Sequence, residues 1–210
     1  MLRASAVARV AATRARRRPA VDGCLARRRV ASRASRADDE RVMRRAIALA
    51  RDAGARGEVP VGAVLVERDT GRVVAEAVNA CEADGDPTAH AELRCARAGA
   101  AALGNWRHLR RTTMYVTLEP CAMCAGGLLQ SRVGRVVYGA RNPLLGGDGS
   151  WVNVLRGGGG GEDGSATRPH AFSPDVEVVG GVLAEETGAL MTDFFKRRRT
   201  LPEWSAPKER

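Results

Sequence analysis

No apolar run in the 210 residues approaches the roughly 18 needed to cross a bilayer, so the body is expected to be soluble and to have no membrane partner. The five cysteines do not form the even, dense framework of a disulfide-stapled secreted domain, which points to a thiol-permissive compartment. There is no internal repeat, which excludes solenoid and propeller architectures. The five consecutive glycines at 157–161 lack the Lys and Ser/Thr of a phosphate loop and read as part of a flexible insertion over 156–170. Acids are almost absent from residues 1–37, where eleven arginines face only Asp22, and this stretch also lacks the apolar core of a secretory signal. Its composition is that of a disordered organelle transit peptide, the alternative being a basic arm that binds RNA electrostatically. The rest of the chain holds 23 basic and 23 acidic residues, so the formal charge of +10 belongs to the leader and says nothing about RNA binding by the body. What remains is one domain over 38–200, long enough to bury a sizeable core, and a tail over 201–210.

Asp38-Asp39-Glu40 offers a helix cap and first-turn acids, and Val42, Met43, Ala46, Ile47 and Ala50 follow at helical spacing, predicting a helix over 38–54. The continuous apolar run 59–66 predicts a strand buried on both faces, and Asp69-Thr70-Gly71 turns it into a second strand over 72–78. A polar loop is expected over 80–88, then a helix over 90–102, a strand over 113–118, a helix over 121–131 and a strand over 133–139. A Gly-rich loop (139–150), a short element at 151–155, a strand over 176–179 and a helix over 183–199 complete the domain. Strands alternating with helices in this order imply a three-layer α/β/α fold, with a five-stranded mixed sheet carrying helices on both faces.

Two short motifs carry the chemistry. Cys121 and Cys124 stand three apart behind Pro120, a residue tolerated at the first position of a helix, so both thiols are expected on its first turn, where the helix dipole favours thiolates. Alone, such a pair is shared with redox sites and zinc ribbons. His90 supplies a third donor, and no fourth Cys or His stands at ligand spacing, so the set reads as an open, catalytic Zn2+ site whose last position is left to water. Residues two apart on a regular helix diverge, so His90 and Glu92 can serve one site only if His90 marks the irregular start of its helix. Glu92 is then a proton carrier rather than a ligand. His108 and His170 have no ligand partners at useful spacing and read as packing or surface residues.

His-x-Glu followed by Pro-Cys-x-x-Cys is the zinc deaminase pattern. The segments Glu58-Val59-Pro60-Val61-Gly62-Ala63, Asp86-Pro87-Thr88-Ala89-His90-Ala91-Glu92, Tyr115 to Gly126, Ser131-Arg132 and Asp193-Phe194-Phe195-Lys196-Arg197-Arg198-Arg199 closely resemble the bacterial-type tRNA-specific adenosine deaminase family. That resemblance implies a homodimer with the cytidine deaminase fold that converts the wobble adenosine of an arginine tRNA, read at its anticodon stem-loop, to inosine. It maps Asn79 to a contact with the flipped base, against a plain strand-end turn role, and Val59, Leu118 and Pro120 to the pocket wall. Glu119 reads as a structural hydrogen-bonder. Lys196 to Arg199 form either a solvated helix end or, through Arg198 and Arg199, contacts to phosphates, with Phe195 stacking on an unpaired base. Asn142 stands where bacterial members commonly have an acid, and Trp151 where they have a smaller residue. The leader, the Gly-rich insertion and the wording Gly-Asp-Gly-Ser-Trp look like plastid members of the family, with a mitochondrial address as the alternative.

In the implied mechanism zinc lowers the pKa of its water from 15.7 to roughly 7, on the order of 10 kcal/mol of easier deprotonation. Glu92 passes that proton to N1 of adenine as C6 is attacked, then to departing ammonia. Two other readings share the zinc core: a deaminase of a free nucleoside, nucleotide or base, and an inactive, zinc-held interaction subunit, which would have no use for Glu92.

Overall fold

The computed structural model describes residues 34–156 and 170–201. Nearly all of the predicted transit peptide, the interior of the 156–170 insertion and the tail from 202 lie outside the described residues. Helix α1 (Arg36–Ala55) starts earlier than predicted because Ser35, not Asp38, is its cap. The Ser35 hydroxyl accepts from the Asp38 N–H at 3.2 Å, while the Asp38 carboxylate accepts from the Ser35 N–H at 3.3 Å, a reciprocal capping box. Asp39, read from sequence as a first-turn acid, turns inward and is buried.

Strands β1 (Gly62–Glu67) and β2 (Val73–Val78) form the predicted antiparallel hairpin. The stretch read as a loop contains a single helical turn, α2 (Cys81–Asp84), and is followed by α3 (Ala91–Ala102). A 3-10 helix over Trp106–Arg111, which no periodicity announced, leads into β3 (Thr112–Leu118). Then come α4 (Ala122–Gln130), β4 (Arg135–Ala140), β5 (Glu177–Val179) and α5 (Ala184–Arg198). The element expected at 151–155 is neither strand nor helix: Asn153 makes an isolated bridge to Asp148, and its neighbours bond back to Gly146 and Gly147.

The strand order is β2-β1-β3-β4-β5, with β1 antiparallel to both neighbours and β3, β4 and β5 parallel. This is the predicted five-stranded mixed sheet. Ala63, Leu65, Met114, Val116 and Val136 pack towards Cys95 and Ala96 of α3 and Leu128 and Leu129 of α4. The alternate residues Val64, Val66, Tyr115 and Val137 pack against Met43 and Ile47 of α1 and Leu190 of α5. Both faces of the central strands are covered, which explains the unbroken apolar run at 61–66. The crossovers through α3 and α4 bring the ends of β2, β3 and β4 and the starts of α3 and α4 to one edge of the sheet, the usual ligand edge of an open α/β fold.

Gly62 marks the closest approach of α1 to the sheet: a methyl group there would overlap the Ala46 carbonyl oxygen and lie 2.9 Å from the Ala50 nitrogen. Both are backbone atoms that cannot swing away. Gly62→Ala is therefore expected to lose about 1–3 kcal/mol in urea denaturation, and an unchanged midpoint would show that α1 can shift outward.

Candidate functional site

His90 is the cap of α3, with an extended backbone (φ −72°, ψ 148°), so it points back beside Glu92 rather than away from it. A tight turn prepares this entry: the Asp86 carboxylate accepts from both the N–H and the hydroxyl of Thr88 at 2.7 Å. Cys121 is the cap of α4 (φ −66°, ψ 168°). Pro120 therefore precedes the cap instead of occupying the first helical position, and only Cys124 lies on the first turn, which corrects the sequence reading of both. The His90 Nδ1 lies 3.6 Å from the Cys121 Sγ and 3.4 Å from the Cys124 Sγ, and the three donor atoms all lie within 4.8 Å of one another. Tetrahedral bonds of about 2.3 Å to sulfur and 2.0–2.1 Å to nitrogen place such donors about 3.5 Å apart, so the set fits one Zn2+.

The electrostatics agree. On the protein groups alone, the hydrogen bond from Cys124 pulls the Cys121 thiol down to about 4, and the bond to His90 adds to it. Cys124 is pushed up by donating to Cys121 and by burial, and His90 is raised by its bond to Cys121. A coordinated cation would allow both sulfurs to be thiolates. Glu92 is 4% exposed, and burial raises its pKa above the ordinary carboxylate value.

His90, Cys121 and Glu92 line a cavity of about 550 Å3, and Cys124 is fully buried beside them. Asn79, Val59, Leu118 and Phe195 line it, together with His90 and Glu92. Pro120 does not: it is buried behind the wall, where its carbonyl accepts from the Gly147 N–H at 2.7 Å. Arg198 and Arg199 do not line it either. Arg199 is exposed at the end of α5, whereas Arg198 donates to Glu82 at 3.0 Å. Sequence reasoning assigned no role to Glu58, a buried acid whose carboxylate accepts from the Asn79 Nδ2 at 3.0 Å and from the Ala83 N–H at 2.7 Å. The amide of Asn79 is thereby fixed, with its oxygen accepting from the Cys81 thiol at 3.6 Å. The one signal for Glu58 was its place at the head of Glu-Val-Pro-Val-Gly.

Glu119, read from sequence as a structural hydrogen-bonder, is 1% exposed and anchors the 142–150 loop. It accepts from the N–H groups of Asn142 at 3.1 Å, Asp148 at 2.8 Å and Ser150 at 3.3 Å, and from the Ser150 hydroxyl. Burial opposes its ionisation, yet these donors outweigh burial and hold its pKa below the ordinary value. Asp148 fastens the same loop to the sheet by accepting from the Tyr138 hydroxyl at 2.8 Å and from Arg156 at 2.8 and 3.0 Å. Of the two departures noted in sequence, Asn142 lines the cavity and Trp151 is exposed away from its lining.

A mixed sheet that presents one His, two Cys and a buried Glu at its strand ends defines a zinc-dependent deaminase fold. Residues 36–140 match the family model of the cytidine and deoxycytidylate deaminase zinc-binding region. The chain belongs to this family, and within it lies beside proteins named for tRNA adenosine deamination. It is 48% identical over 164 residues to the chloroplastic tRNA(adenine(34)) deaminase of Arabidopsis thaliana, an alignment covering 76% of this chain but only 12% of that protein. It is 43% identical over 161 residues to the tRNA-specific adenosine deaminase of Haemophilus influenzae, covering 77% of this chain and 85% of the relative. A structure solved in a study of A-to-I editing by tRNA:A34 deaminases superposes with a TM-score of 0.58 at 38% identity, over 70% of this chain and 96% of that one.

Proposed function

We propose that the protein deaminates the wobble adenosine of an arginine tRNA with anticodon ACG to inosine, acting as a homodimer in the chloroplast. The observation that carries this reading is the cavity lined by His90, Cys121 and the buried Glu92, with Cys124 completing the donor set just behind its wall. The names of the relatives support the tRNA substrate and the plastid address. His90, Cys121 and Cys124 would hold zinc, which would supply an acidified water as nucleophile. Asn79, fixed by Glu58, hydrogen-bonds the extruded base, and Val59 and Leu118 close on its faces. Phe195, at the rim, stacks on a neighbouring unpaired base. The Glu92 carboxylate takes a proton from the nucleophile and donates it to N1, then takes the second proton from the oxygen now bonded to C6 and donates it to the amino group, which leaves C6 as ammonia. One water enters and one ammonia leaves. Arg199 contacts phosphate at the end of α5.

The test incubates the full chain, in parallel, with arginine tRNA and with free adenosine, cytidine and guanine, then sequences the tRNA. Adenosine 34 is expected to be read as guanosine while the free compounds persist. Deamination of a free nucleoside or base with the tRNA intact would replace this reading with the small-molecule alternative. Light scattering of the same sample checks the dimer.

A further inference from the structure

The rim of the cavity contains a segment that should not hold its shape unaided. Helix α2 has four residues, too few for a helix to be stable by itself, and its cap residue Ala80 offers no side-chain hydrogen bond. None of its residues is fully buried, so it is not seated by a side chain in the core. Yet its first residue, Cys81, lines the cavity and donates to the Asn79 amide oxygen. Its position must come from polar tethers, and three are present. Glu58 accepts from the Ala83 N–H, Asp84 pairs with Arg94 of α3, and Glu82 pairs with Arg198 of α5 at 3.0 Å. Only the last reaches across to α5, the element that carries Phe195. Arg198 is itself held there, donating to the Gly57 carbonyl at 3.4 Å and lying 5.5 Å from the centre of the Phe194 ring.

We propose that Glu82 and Arg198 form a clamp across the cavity mouth, positioning Cys81 and Asn79 on one wall against Phe195 on the other. Arg198 is then a positioning residue and not the phosphate contact that its place in a basic run implied. The Glu82 side chain is 61% exposed and that of Arg198 19%. A pair this open adds little to global stability, so its loss registers in the placement of α2 rather than in unfolding. The consequence for turnover rests on the tRNA reading of the site, whereas the clamp itself does not.

Two measurements on the full chain separate these. Alkylation of Cys81 by iodoacetamide, followed by mass spectrometry of its peptide, needs no substrate. Glu82→Ala and Arg198→Ala are each expected to raise its rate about threefold, and the charge swap Glu82→Arg with Arg198→Glu to restore it. On an arginine-tRNA anticodon stem-loop, each single variant should raise KM about threefold with kcat nearly unchanged, and the swap should recover KM. Unchanged Cys81 alkylation in both single variants would overturn the clamp, as would a swap no better than the singles. Were Arg198 a phosphate ligand, Glu82→Ala would instead lower KM, and the swap would weaken binding and flatten its salt dependence. If the wild-type chain leaves the stem-loop untouched, the proposed function falls while the alkylation rates still decide the clamp.

Discussion

Glu92→Gln is expected to reduce inosine formation about 1,000-fold or more while the protein still retains one zinc per chain. General acid–base catalysis by one positioned group is typically worth 100- to 10,000-fold, and Glu92 is assigned transfers at N1 and at the leaving amine, which places the loss in the upper part of that range. Glutamine keeps the shape of the buried side chain but cannot accept and return a proton. The Nδ1 of His90 and the sulfurs of Cys121 and Cys124 lie within 4.8 Å of one another without Glu92, so metal content should be preserved. Metal analysis beside a single-turnover rate on arginine tRNA reads both quantities. A variant that keeps zinc and turns over at the wild-type rate would end the assignment. Cys124→Ser provides the contrast: it removes a buried donor and should lose both metal and turnover.

The parts of this site that were legible in the sequence are those fixed by local chemistry. The divergence of residues two apart on a helix required His90 to stand at an irregular start, and the extended backbone at His90 meets that requirement. The apolar run of the hairpin's first strand announced a doubly covered strand, and a five-stranded mixed sheet followed from the alternating elements. What stayed hidden depends on contacts between residues distant in the chain. Glu58 reaches Asn79 and Ala83, 21 and 25 positions away, so no spacing rule could connect them. Helix α2 owes its form to tethers rather than propensity, and therefore read as a loop. Arg198 looked like its basic neighbours because its partner Glu82 lies 116 positions away. Position Asp39 is the sharpest case, since helix-end chemistry explained it well enough to mask a second role.

Asp39 is the buried acid that fastens α1 to the sheet. Its two oxygens accept from the Arg135 guanidinium at 2.7 Å each, and one also accepts from the Tyr115 hydroxyl at 2.9 Å. The paired side chains are only 5% and 3% exposed, and Arg135 makes a further ion pair with Glu177 at 3.1 Å. One carboxylate thus links α1 directly to β3 and β4, and through Arg135 to β5. Removing one partner of such a pair strands the other charge away from water, so Asp39→Ala is expected to cost about 3–5 kcal/mol. For a domain of this size that is a fall of about 10 °C in Tm. Replacing both partners, Asp39→Leu with Arg135→Met, leaves no stranded guanidinium and should recover most of the loss. Arg135 opens β4 whereas the cavity lies beyond the strand's other end, at Ala140 and Asn142. Activity measured well below the melting temperature should therefore survive in both variants. A double variant as unstable as Asp39→Ala would mean that the network is held by its specific geometry and not by charge compensation. A single variant with unchanged Tm would mean that α1 is seated by Met43, Ala46 and Ile47 alone.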